Sequence, residues 1–315
     1  MFPTVVYEYG DGLKLPKKDC VITLGFFDGV HIAHRDLINA GRKIADRSGL
    51  PLGVFTFPAE GGLKQGVKRL YSTEERIRLL ESAGVDFTVT VDFASVCSLS
   101  PEEFVRRVLI EHLNCRVAVV GFNFRFGRGA AGNARTLRSL MNAAGRECII
   151  RDELKAEGET VCTTLIRFLL ENGKIERANR LLGAPYRICA GVEHGRGVGR
   201  KLGFPTVNTA IDPIFVCPKH GVYRTAVALD GRIYTGVTNI GVCPTFDSRE
   251  VHAETYIADF SGDLYGRRIE IYLLGFLRDE MRFSSPEELI MQINIDKNTA
   301  IKENGEIKWQ ELGLK

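Results

Sequence analysis

The strongest constraint on this chain is an alternation in its first half. Five short runs dense in Val, Ile, Leu and Phe, at 20–27, 52–57, 86–93, 116–121 and 148–151, are separated by helical patterns at 33–48, 73–83, 101–113 and 134–144. Runs apolar at nearly every position suit strands covered on both faces, as in a parallel sheet. Two helices announce their starts with capping boxes, Ser72-x-x-Glu75 and Ser100-x-x-Glu103, and Pro101 fills a first-turn position where a missing N–H costs nothing. The order βαβαβα predicts an α/β, Rossmann-like domain. One further helix is expected over 165–182, bounded by Gly183 and Pro185. There we place the boundary between domains 1–184 and 185–315.

Beyond Pro185 the texture changes. Short runs rich in Val, Ile and Tyr at 187–193, 221–229, 232–238, 253–260 and 268–274 are split by Gly, Asp and Asn. Asp230-Gly231 between two of them is a tight-hairpin signal, because both positions tolerate positive φ. Strands at this spacing predict a small antiparallel β-barrel, closed by a C-terminal helix that starts at Ser285-x-x-Glu288. At 315 residues the chain has room for two domains of about 150 residues.

A net charge of +3 argues against a surface built for nucleic acid, so any basic site must be local. Eight cysteines form no C-x-x-C pair and no zinc spacing, and most sit in apolar runs as small buried hydrophobes. No apolar run approaches the ~20 residues of a membrane span. These features predict a cytoplasmic protein without membrane or nucleic-acid partners; they leave oligomeric state open.

Two segments carry chemistry. The first strand ends in Gly25-Phe26-Phe27-Asp28-Gly29-Val30-His31-Ile32-Ala33-His34 and runs into a helix, whose free amides and dipole favour phosphate. His31 and His34 can converge on one anion, or can merely cap the turn. In the second half, residues 195–203 place Gly195, Gly197, Gly199 and Gly203 among Arg196, Arg200 and Lys201, an arrangement that gathers amides and charge around phosphates. Thr206 and Asn208 follow, two apart, and share a face if extended. Their oxygens suit Mg²⁺, a hard cation that also takes nucleotide phosphates.

The first segment resembles the H-x-G-H nucleotidyltransferases, and F-D-G-V-H resembles the FMN adenylyltransferase module of bacterial FAD synthetases. Gly121-Phe122-Asn123-Phe124-Arg125-Phe126-Gly127 and Cys162-Thr163-Thr164-Leu165-Ile166-Arg167 extend that resemblance. Ala33 stands where the family has Gly, Cys162 where it has Ser, and the family's P-H-P segment is replaced by Pro58-Ala59-Glu60. The second segment, through Phe204-Pro205-Thr206-Val207-Asn208, closely resembles the riboflavin kinase signature, as do Gly221-Val222-Tyr223 and the run from Glu254 to Gly266.

The resemblance implies a bifunctional enzyme that uses ATP and Mg²⁺ to convert riboflavin to FMN and FMN to FAD. It implies that His31, His34, Gly25, Phe27, Asp28, Gly29, Asn123, Thr163, Thr164 and Arg167 serve adenylyl transfer. It further implies that Glu254 is the kinase base and that Thr206 and Asn208 hold the metal. The glycine–cation loop would take ATP phosphates, and Arg278 and Phe283 would border the flavin, with Asp263 or Tyr265 shaping a turn. The alternative is a riboflavin kinase whose N-terminal domain only binds nucleotide or serves as structure.

Overall fold

The computed structural model describes residues 5–8 (backbone path), 18–59, 66–194, 199, 203–242 and 250–305. Contacts divide the chain into Met1–Thr163 and Thr164–Lys315.

The first unit is built on six parallel strands: β1 Val5–Glu8, β2 Cys20–Leu24, β3 Leu52–Thr56, β4 Phe87–Thr90, β5 Cys115–Gly121 and β6 Glu147–Arg151. Their order is β1-β4-β3-β2-β5-β6. Successive residues of β2 serve opposite faces: Val21 packs with Ile38 and Val54 of one core, Ile22 with Phe55 and Leu109 of the other. That two-sided burial is why the strand reads as an unbroken apolar run. The chain winds outward from β2 through β3 to β4, then returns to β5 and β6 on the other side. The reversal makes the carboxyl ends of β2 and β5 the crevice where ligands of open α/β sheets bind. β1, which the sequence pattern did not predict, pairs with β4 at the sheet edge.

Helices α1 Ile32–Ser48, α2 Thr73–Ser82 and α3 Ala134–Ala143 match the predicted patterns, and both capping boxes form. Two expectations are corrected. The helix from Pro101 is α only to Glu103, and Phe104–His112 winds as a π-helix. The π-winding buries Phe104, Val105, Val108 and Leu109, a spacing that also fits an α-helical pattern, so periodicity does not separate the two. The single helix over 165–182 is instead two, α4 Thr163–Glu171 and α5 Ile175–Leu182. Gly173 breaks it with φ 70°, and the Gly173 and Lys174 amides close the turn on Leu170 and Leu169.

The second unit is a curled antiparallel sheet of β7 Tyr186–Gly191, β8 Thr206–Ala210, β9 Gly221–Leu229, β10 Arg232–Val242, β11 Val251–Ile257 and β12 Arg268–Arg278. The order is β7-β12-β9-β10-β11-β8. The two edge regions meet where the Glu193 amide donates to the Asn208 carbonyl at 2.8 Å. Asp230 and Gly231 make the predicted hairpin at φ 47° and 74°. Inside the curl, fully buried Thr225, Thr238 and Thr255 form a hydroxyl chain with steps of 3.0 and 2.9 Å, each hydroxyl serving its neighbour. Helix α6, Pro286–Asn304, starts at the expected Ser285 cap and packs against β9 and β10.

Candidate active site

The turn after β2 is held in a conformation that few sequences adopt unaided. Phe27, Gly29 and Val30 have φ of 54°, 88° and 42°, and such geometry is strained for a β-branched residue. Burial of the Phe27 and Val30 side chains offsets that strain. A Cβ on Gly25 would press on the Phe27 ring at 3.1 Å, so this glycine makes room for the ring. Asp28 is buried and accepts the Leu70 amide at 3.0 Å, while its own carbonyl accepts the Thr163 hydroxyl at 3.2 Å across 135 residues of sequence. Thr163, which opens α4, is thereby brought to the turn.

His31 is the N-cap of α1, and its Nδ1 accepts the His34 amide at 3.3 Å. The ring proton of neutral His31 is therefore on Nε2, which can donate. The two imidazoles stack at 3.6 Å, with an interplanar angle of 13°. Burial lowers the His31 pKa to about 4, and burial together with the charges of His31 and Arg76 pushes His34 well down. The pair is neutral near pH 7 and offers hydrogen-bond donors rather than charge. Of the two roles left open for the histidines, the structure shows the cap, which His31 makes through Nδ1.

At the end of β5, Asn123 lies exposed in a turn closed by the Phe124 amide on the Gly121 carbonyl, on the other side of the switch point from His31. Arg167 donates to the Thr164 hydroxyl at 3.2 Å one helical turn back. Missed by the sequence reading is the support beneath the turn. Buried Arg76 gives its terminal nitrogens to the Phe26 and Phe57 carbonyls at 2.5 and 2.6 Å, and no motif marks it.

The second cluster is laid out by strand register. Asn208 pairs with Glu254, and Glu254 pairs on its other side with Asn239. Directly opposed residues share a face, so an amide, a carboxylate and an amide form one half-buried row. Thr206 lies one step along the same face, opposite Tyr256. Asn239 had no role assigned from the sequence; only the register reveals it. The hydroxyl, amide and carboxylate oxygens fit a hard divalent cation that draws its remaining ligands from phosphates and water. Among the described residues no group of three His, Cys, Asp or Glu could cage a metal alone.

Gly195, Gly197, Arg200 and Lys201 lie outside the described residues. Of the loop's described glycines, Gly203 has φ 86°, and Gly199 accepts the Phe204 amide at 2.8 Å; a Cβ on Gly199 would fall 2.4 Å from the Phe204 carbonyl. Arg278 forks onto the buried Asp296 carboxylate of α6 at 2.7 and 3.1 Å, with its guanidinium 6.0 Å from the Phe283 ring centroid. Asp263 shapes its turn by accepting the Tyr265 amide, and the Tyr265 ring stacks on His194 at 3.9 Å.

Two family models match the chain, FAD synthetase over residues 14–165 and riboflavin kinase over 182–303. A Bacillus subtilis protein named bifunctional riboflavin kinase/FMN adenylyltransferase is 35% identical over 92% of this chain and 94% of its own length. The chain belongs to the bifunctional riboflavin kinase/FMN adenylyltransferase family. An Escherichia coli K12 protein of the same name is 33% identical over 91% of this chain and 93% of its own. A solved Streptococcus pneumoniae chain called a macrolide-efflux protein superposes with a TM-score of 0.86 at 29% identity, covering 96% of this chain and all of that one. No helix among the described residues here is long and apolar enough to cross a membrane.

Proposed function

We infer that this family member runs two successive ATP-dependent transfers: riboflavin to FMN in the second domain, and FMN to FAD with release of pyrophosphate in the first. The Asn208–Glu254–Asn239 row, one register step from Thr206, carries the kinase assignment. The Glu254 carboxylate accepts the proton of the ribityl 5′-hydroxyl as that oxygen attacks the γ-phosphorus of ATP. Thr206 and Asn208 hold Mg²⁺, which supplies neutralisation of phosphate charge when bound. The glycine–cation loop, Gly195, Gly197, Gly199, Arg200, Lys201 and Gly203, takes the phosphates, and Arg278 with Phe283 borders the flavin.

In the first domain, which we assign to 1–184 with the kinase over 185–315, catalysis is positioning and charge stabilisation. The turn from Gly25 to Gly29 and the hydroxyls of Thr163 and Thr164 orient phosphates. His31 donates through Nε2, His34 stacks behind it, Arg167 takes the leaving pyrophosphate, and Asn123 meets the nucleotide. The reading of the N-terminal domain as only structural is not favoured, because the FAD synthetase model spans 14–165. We place the enzyme in a reducing cytoplasm, consistent with seven free cysteines among the described residues. Purified protein given riboflavin, ATP and magnesium should yield FMN and ADP, then FAD and pyrophosphate. A preparation that labels no flavin from radioactive ATP would overturn both assignments.

A further inference from the structure

Two guanidinium groups flank one aromatic ring beneath the turn after β2, and they are used differently. Arg76, 4.5 Å from the Phe26 centroid, commits both terminal nitrogens to backbone carbonyls and acts as a buried strut. Arg69 lies 4.8 Å from the same centroid and is only 6% exposed. It commits Nε alone, to the Ala59 carbonyl at 3.2 Å. Among the described residues, no carboxylate pairs with Arg69 and its two terminal nitrogens make no hydrogen bond. Its backbone is tied to the turn, because the next residue, Leu70, donates its amide to Asp28.

A buried cation without a counter-charge is destabilising by itself and becomes favourable when an anion arrives. Arg69 carries its cation on the C-terminal side of the parallel sheet, where the strained turn and the α1 N-terminus already favour phosphate. Its planar fork matches two phosphate oxygens at once.

We propose that Arg69 binds phosphate oxygens in the N-terminal site, as a positioning residue for adenylyl transfer. This rests on reading that site as the adenylyltransferase. The phosphate belongs either to ATP or to FMN, and kinetics separate the two.

The test uses the full chain carrying Arg69→Met, which keeps the apolar stem over Phe26, and Arg69→Lys, which keeps the charge without the fork. In R69M, kcat/KM for FAD formation should fall about 10- to 100-fold, the size of a lost charged hydrogen bond, while FMN formation by the kinase domain stays at the parental rate. A rise confined to the KM for ATP, matched by the KM for pyrophosphate in the reverse reaction, assigns the triphosphate; a rise confined to the KM for FMN assigns the flavin phosphate. R69K should recover part of the loss. An R69M enzyme within twofold of the parent, or an R69K no better than R69M, overturns the inference. If R69M lowers the thermal midpoint, the comparison of R69K with the parent decides. If the parent makes no FAD, the adenylyltransferase reading fails alone. Calorimetric titrations with inorganic pyrophosphate and with FMN, which need no turnover, then still test Arg69: equal affinities of parent and R69M for both ligands sink it.

Discussion

The two candidate sites are held in place by opposite means. The N-terminal one is a strained, buried turn, pinned by Asp28, Arg76 and the distant Thr163 hydroxyl, and its histidines are neutral because they are desolvated. The C-terminal one is a row of polar side chains on a sheet face, placed by strand register and left half-buried. A turn fixes its groups through a few long-range bonds and is sensitive to each. A sheet distributes the same task over a ladder and tolerates loss of a side chain that only reacts.

That contrast can be broken or sharpened by experiment, beginning where the effect is largest. Glu254→Gln should lower FMN formation by about 10²–10⁴, the usual worth of a general base. It should leave the thermal midpoint and the conversion of supplied FMN to FAD unchanged; loss of both activities would mean that the row is structural. His31→Ala should cost about 10²–10³ in FAD formation, as removal of one transition-state donor does. Because His31 also caps α1 through Nδ1, this variant should lower the melting point of its domain as well, unlike Glu254→Gln.

Acid should separate the domains next. The His31 pKa is 6.5 unfolded and about 4 folded, so its folded form binds fewer protons. Its stabilising effect is complete above pH 6.5, declines as pH falls and is gone below about pH 4, a change of about 3 kcal/mol. Differential scanning calorimetry between pH 7.5 and 4.5 should show the N-terminal transition falling, with the fall reduced in His31→Gln. A flat profile in the parent would contradict the buried neutral pair. The smallest effect is expected within the curled sheet. Thr238→Val leaves two buried hydroxyls short of a partner and should cost about 1–3 kcal/mol in urea unfolding, without altering KM for either substrate.

Much of the fold was legible because it follows from local chemistry. Apolar runs marked the parallel strands, Ser-x-x-Glu marked helix starts, and Asp230-Gly231 marked the hairpin. Where local signals were degenerate, the reading failed: the π-winding of Phe104–His112 and the break at Gly173 leave the apolar pattern almost unchanged. At the sites, His31, Asp28, Thr206, Asn208 and Glu254 stood in recognisable motifs. Asn239, Arg69 and Arg76 had no assigned role, since their importance lies in what they face.

From sequence alone came the two architectures, the candidate site residues and the family they resemble, because periodicity, turn chemistry and motif spacing are properties of neighbours along the chain. Tertiary structure decided which of those residues meet. Strand register set Asn208 and Asn239 on either side of Glu254, and burial made the histidine pair neutral. Packing around Phe26 turned one arginine into a strut and kept the other's fork unengaged among the described residues. Opposition across a sheet and removal from water both depend on segments distant in sequence, and no local pattern encodes them.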